Sequence, residues 1–390
     1  WGRFDFQRLS LDAWGELASM QVAVDLERDR GESYHTAGRV EREGTRITYH
    51  VRELDFALEG GAWNLVRSSR ITWDEGVIQV DDLEVARPGN GEAVRIVADG
   101  SLDLDGPLQM RARAERVDLE RLGGILQLDP SPRGALDLEL ELTGTAASPR
   151  IAGNLRLEGL EVVDTRFSLI EGTVDYADES AQLHLEVEQG GERIVTASGS
   201  WPVNLALGEV ETRLPSRPVE LVLEVNELPA ATALAPLEVL EEVEGVLNGR
   251  IEFRGEPTDL RPSGELRLAG GRFALPEIGL RPGEVEAHLV LSPDGSVAVE
   301  ARGRSVGPVE IEGTVDLSNL LDPAFDLRVQ AQGFQAVNRR DLEGRVSGTI
   351  FLRGRYMEPR VTGSIRVDQA NLFLEEFART ATVVDLSDPA

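Results

Sequence analysis

Apolar and polar side chains alternate over much of the chain. Leu136, Leu138, Leu140 and Leu142 are separated by Asp137, Glu139 and Glu141, which puts leucines on one face of a strand and carboxylates on the other. The same period of two runs through residues 22–26, 47–51, 155–157, 183–187, 221–225, 266–268, 309–317 and 365–367. Turn chemistry predicts hairpins at Asp294-Gly295 after Ser292-Pro293, and at Glu75-Gly76 and Asp178-Glu179. Short helical patches are predicted over residues 117–126, 230–242 and 337–342. The expected fold is all-β and mostly antiparallel.

A repeat orders these strands. Gly134, Gly144 and Gly153 are spaced 10 and then 9 residues apart, and Gly245, Gly255 and Gly264, then Gly344, Gly354 and Gly363, keep that spacing. Each trio frames a strand, a turn with proline (Pro149; Pro257 and Pro262; Pro359) and a second strand. A second landmark recurs between the trios: Ile96-x-Ala98-x-Gly100-x-Leu102, Val195-x-Ala197-x-Gly199-x-Trp201, and Val309-x-Ile311-x-Gly313-x-Val315. The order predicts one continuous fragment over 1–390, with repeat units at roughly 55–160, 161–272 and 273–372. Several glycines take places where the alternation calls for an apolar side chain. Glycine inside a strand marks a bend, a bulge or a close approach, so the repeat predicts either a lengthwise crease or tight packing of sheet on sheet.

Composition narrows the function. The 390 residues carry 40 basic groups, all arginine, against 69 acidic ones, for a net charge of −29. Nucleic acid is a poor partner for that balance, because phosphate binding needs a basic footprint. With 41% apolar residues the chain can bury a face, and with no cysteine it has neither disulfides nor thiolate chemistry. The longest uncharged stretch, residues 194–208, is 15 residues long and contains Pro202, whereas a membrane helix needs about 20 apolar residues. The chain begins at Trp1 without a signal-peptide pattern, which reads as a segment of a longer protein whose anchor lies outside it.

Candidate chemistry is sparse. His35, His50, His184 and His288 are far apart in sequence, none in metal-ligand spacing. Ser200 follows Gly199 without a nucleophile elbow. Asp103-Leu104-Asp105-Gly106 lacks the later oxygen ligands of a calcium loop. The sequence therefore implies no enzyme, no cofactor and no metal.

Gly144-Thr145, Pro149, and Ile151-Ala152-Gly153-Asn154-Leu155-Arg156-Leu157 resemble the repeat of the TamB branch of the AsmA-like proteins, the translocation-and-assembly-module subunit of diderm bacteria. Leu142-Thr143-Gly144-Thr145 fits that repeat best; Phe253-Arg254-Gly255-Glu256 and Leu352-Arg353-Gly354-Arg355 keep the glycine and lose the threonine. The resemblance is clear from about residue 55 onward. Neither the family's N-terminal anchor nor its C-terminal domain is recognisable, so the segment resembles the middle of such a protein. The resemblance implies an elongated antiparallel sheet curled into a U-shaped hydrophobic groove, a β-taco, with a few short helices. It also implies a periplasmic location with attachment to the inner membrane, and movement of glycerophospholipids between the inner and outer membranes. An outer-membrane barrel of the BamA or TamA type is its implied partner.

The expected lipid-groove residues are the apolar-parity positions of the repeat: Leu136, Leu138, Leu140, Leu142, Leu155, Leu157, Leu247, Ile251, Phe253, Leu266, Leu268, Ile311, Val315, Leu317, Ile350, Leu352, Ile365 and Val367. The expected crease is formed by Gly134, Gly144, Gly153, Gly245, Gly255, Gly264, Gly344, Gly354 and Gly363. The occupants of the groove would be phospholipid acyl chains. The same leucines could instead fill a closed core. A scaffold that offers strand edges to outer-membrane clients uses the same fold. A polar-laddered solenoid or a carbohydrate-active protein fits less well, since asparagine is scarce and the five tryptophans are dispersed.

Overall fold

The computed structural model describes residues 6–28, 32–58, 61–87, 94–120, 132–162, 165–235, 239–319 and 322–373. The chain divides into two compact units, Trp1–Leu221 with Gly255–Thr258, and Val222–Arg254 with Asp259–Ala390.

The first unit is an antiparallel meander. Its strands are β1 (Phe6–Glu16), β2 (Ser19–Arg28), β3 (Ser33–Glu43), β4 (Arg46–Leu58), β5 (Gly61–Leu65), β6 (Ser69–Asp74), β7 (Val77–Arg87) and β8 (Val94–Asp103). They continue through β9 (Leu108–Asp118), β10 (Arg133–Gly144), β11 (Pro149–Val162), β12 (Thr165–Arg166), β13 (Leu169–Ala177), β14 (Ser180–Gln189) and β15 (Glu192–Pro202). Neighbours in sequence are neighbours in the sheet, except that β5 and β6 share the slot between β4 and β7, and β13 pairs with β11 past the short β12.

β16 (Val219–Pro229) enters the second unit at residue 222, followed by a short helix, α1 (Ala230–Leu234). Then come β17 (Glu241–Glu256), β18 (Asp259–Ala274), β19 (Gly283–Leu291), β20 (Ser296–Ser305), β21 (Gly307–Asp316), β22 (Ala324–Asn338), β23 (Leu342–Arg355) and β24 (Glu358–Leu372). From β18 to β24 each strand pairs antiparallel with the next.

The alternation explains the strands, and the three predicted hairpins are present. Glu75 and Gly76 have φ of 46° and 92°, and Asp178 and Glu179 have φ of 51° and 58°, the pair of left-handed residues that a two-residue loop needs to match strand twist. In the third hairpin Gly295 takes φ 84° and the Asp294 carboxylate accepts from the Ser296 N–H at 3.0 Å.

The helical patches are corrected. Residues 117–118 belong to β9 and 119–120 are helical, while 121–126 lie outside the described residues. Helix α1 stops at Leu234, and by Glu241 the chain is strand; Pro236 follows in sequence and offers no N–H for a longer helix. Residues 337–342 form no helix. They close the β22–β23 hairpin, with Arg339 N–H donating to the Leu342 carbonyl at 2.8 Å.

Bulges interrupt the ladders at recurring places. Two residues oppose one at 81–82 facing Asp99, 115–116 facing Asp137 and 159–160 facing Gly134. In the second unit the same happens at 269–270 facing Glu286 and at 332–333 facing Ser347. Each holds a left-handed residue: Asp82 (φ 49°), Arg116 (φ 53°), Gly159 (φ 61°), Gly270 (φ 62°) and Gly333 (φ 59°). The extra residue bends the strand and increases its twist. It also shifts the phase of the alternation. The face lined by Ile78 and Val80 before the bulge in β7 is lined by Leu83 and Val85 after it.

One buried cluster of the first unit lies beyond these bulges, and another set of buried residues, with Leu108, Tyr176 and Ala181, lies at the opposite strand ends. Trp63, Val85, Val94 and Val117 pack together with Leu54, Phe56, Leu65, Ile96, Ala114 and Leu136. Tyr34, Phe56 and Trp63 stack in succession, with centroids 6.4 and 5.6 Å apart.

Candidate functional site: the apolar face

In the first unit the expected groove residues fall on one face and oppose one another. Leu136 faces Leu157, Leu138 faces Leu155, Leu140 faces Gly153, and Leu142 faces Ile151. The rows continue on both sides: Leu138 opposes Ala114, while Leu155 opposes Gly172 and through it Leu185. These leucines are half-buried and none is sealed from solvent. Leu136 alone among them packs against the buried cluster.

In the second unit Leu266 and Leu268 oppose Leu289 and Ala287. Ile311 and Val315 oppose Val329 and Phe325. Ile350 lies between Val329 and Gly363, and Leu352 between Leu327 and Val361. Leu247, Ile251 and Phe253 are half-buried in β17. Ile365 and Val367 stand on β24 at 59% and 61% exposure. Leu317 lies one residue past β21 and is also exposed, its N–H held by the Gly295 carbonyl.

The glycines play several parts. Gly144 and Gly354 sit at hairpin ends opposite Pro149 and Pro359, and Gly255 is near the end of β17. Gly134 opposes a bulge, and Gly245 lies against Gly271, whose Cα would be 2.9 Å from an added Cβ. Gly153 is filled by the Leu140 side chain, whereas nothing crowds Gly344 closely. Gly264 and Gly363 are mid-strand, with φ of 144° and 138°. At Gly264 a Cβ would sit 2.0 Å from the Arg250 carbonyl oxygen, so no side chain fits there.

Four further glycines outside that set share this mid-strand state: Gly100, Gly199, Gly313 and Gly348, with φ between 133° and 152°. Three of them are the glycines of the second sequence landmark, which is where the signal lay. A second feature is absent from the pattern of apolar positions. Side chains of the neighbouring strand accept the N–H of left-handed residues: Asp99 Oδ2 from Asp82 (3.1 Å), Asp137 Oδ1 from Arg116 (2.8 Å), Asn248 Oδ1 from Glu227 (2.9 Å) and Ser347 Oγ from Gly333 (2.8 Å). Three of these acceptors directly precede a glycine, at Asp99-Gly100, Asn248-Gly249 and Ser347-Gly348.

The opposite face is charged and self-paired. Arg113 bridges to Glu139, Arg156 to Glu171 and Arg302 to Glu286, while Arg111 meets Glu141 at 3.0 Å and Arg353 meets Asp326 at 2.9 Å. All four histidines lie on this face beside carboxylates, His35 with Asp25 at 2.7 Å and His288 with Glu265 at 3.1 Å. The hydrogen bond to Asp25 pushes the His35 imidazole above its ordinary value and holds Asp25 below its own. Concavities of about 810, 590 and 540 Å³ occur on this face, around Glu139 and Arg156, around His288 and Arg302, and around Arg111 and Asp175. Among the described residues no group of three or more His, Asp or Glu is placed to hold a metal, and no helix is long and apolar enough to cross a membrane.

Residues 296–389 match the family model described as the TamB C-terminal domain. The sequence expectation is a middle segment without a recognisable C-terminal domain; over residues 296–389 the match assigns that domain's sequence instead. No curated protein and no solved structure matches the chain.

Proposed function

We propose, from the TamB-family assignment that the match over residues 296–389 supports, that the apolar face carries the acyl chains of glycerophospholipids between the inner and outer membranes. The match and the repeated antiparallel sheet fit a TamB-type, envelope-associated periplasmic module. Attachment to the inner membrane through a segment outside this chain, and a barrel partner of the BamA or TamA type, belong to the same proposal.

One observation carries the lipid reading: aliphatic side chains line the same face of successive strands in each unit, and along most of that face they are half-exposed rather than sealed. Exposing acyl methylenes to water costs about 0.8 kcal/mol each, or roughly 25 kcal/mol for two sixteen-carbon tails. An unsealed aliphatic face removes much of that barrier without directional polar groups to trap the cargo, while the paired charges opposite keep the sheet soluble. Leu138→Asp is expected to abolish phospholipid transfer in cells while leaving the unfolding midpoint within a few degrees, and Ile251→Asp repeats the test in the second unit. Normal transfer in both folded variants would contradict the proposal.

A second reading has its own observation. β24 has its large apolar residues exposed, including Val361, Ile365 and Val367, and strands of that kind template pairing with another chain. A scaffold for outer-membrane protein assembly would use β24, which among the described residues pairs with β23 alone.

A further inference from the structure

The apolar face of the first unit is divided, and the division follows the bulges. On one side Val85, Val94 and Val117 are 6%, 7% and 3% exposed. On the other, Leu138, Leu140 and Leu142 are half-exposed, until the far end of the strands, where Leu108, Tyr176 and Ala181 of the same face are buried again. Between them run the left-handed residues Asp82 and Arg116. A bulged N–H points away from the regular ladder and needs another acceptor. The carboxylates of Asp99 and Asp137 supply it, and in the second unit the Ser347 hydroxyl does the same for Gly333. An acid and a hydroxyl thus perform one task at three bulges. Losing the bulge by a one-residue slip would turn every side chain beyond it to the other face.

We propose that Asp99, Asp137 and Ser347 are positioning residues of the lipid path, holding the bends that bound the open flank, so that acyl chains touch that flank alone. This rests on the lipid reading above. The carboxylates act through the backbone and do not touch the cargo.

The test uses the full chain in cells, with a photoreactive residue at Leu140 on the open flank or at Ile96 beside the sealed core. Phospholipid adducts are expected at 140 and not at 96. Asp137→Ala is expected to speed hydrogen exchange of the Arg116 amide at least tenfold and to cut the adduct yield at 140 at least threefold. Asp137→Asn, which keeps an Oδ1 acceptor, is expected to restore both. Faster exchange with an unchanged yield at 140, or equal yields at 96 and 140, overturns the proposal. If Asp137→Ala unfolds the chain, Ser347→Ala with the probe at Ile350 carries the same comparison through the Gly333 amide. No adduct at 140 in the unsubstituted chain sinks the lipid reading itself, and amide exchange then still reports whether the clasp holds the bulge.

Discussion

Gly264 shows how little freedom single positions have. With φ 144° and the Arg250 carbonyl 2.0 Å from any added Cβ, Gly264→Ala is expected to cost about 2–3 kcal/mol in urea unfolding. Glu227 is the opposite case, a side chain at φ 48°. A left-handed L-residue costs roughly 1–2 kcal/mol, and glycine gives back about 0.5–1 through unfolded-state entropy. Glu227→Gly should therefore stabilise by up to about 1 kcal/mol, and a lower denaturation midpoint would contradict this. The His35–Asp25 pair adds a pH dependence of known sign. His35 is raised above 6.5, so its contribution is complete below that value and is lost as pH rises through the folded value. Asp25 is lowered from 3.8, so its share is present above that value and is lost as pH falls through the folded one. Proton NMR titration should find His35 above its ordinary value, returning towards it in Asp25→Asn; a His35 unmoved by that substitution would contradict the assignment.

Strands were largely legible because alternation is written residue by residue, as in Leu136 to Leu142. What that pattern missed lies beyond the bulges. In β9, Met110, Ala112 and Ala114 share a face with Val117, because residues 115–116 oppose Asp137 alone. A strict period of two breaks there, and residues 117–118, which are strand, read as the start of a helix. The left-handed bulge residues Asp82 and Arg116 are not glycine, so composition gives no warning of them. The apolar face was legible as far as Leu138, Leu140 and Leu155 are concerned. Its division into sealed and open flanks was not, since that depends on what packs against Val117 and Trp63 through space. The division predicts unequal penalties. Trp63→Ala should cost about 3–5 kcal/mol as a buried aromatic, and the half-exposed Leu140→Ala about 1 kcal/mol. Equal losses in thermal unfolding would contradict a divided face.

At the scale of the whole chain the composition serves the surface. A net charge of −29 coexists with rows of Arg–Glu pairs on the charged face, which suits a protein that leaves long strands of β-structure in water. The glycine spacing and the TamB-like turn were legible in the sequence itself. The C-terminal-domain match over residues 296–389 was not, because the same alternation runs through that part as through the rest. The central claim is that the half-exposed aliphatic face holds hydrocarbon. Photoreactive residues placed at positions 138 and 251 in cells test it most directly: phospholipid adducts at both are expected, and polypeptide adducts alone would contradict a lipid path and support the scaffold.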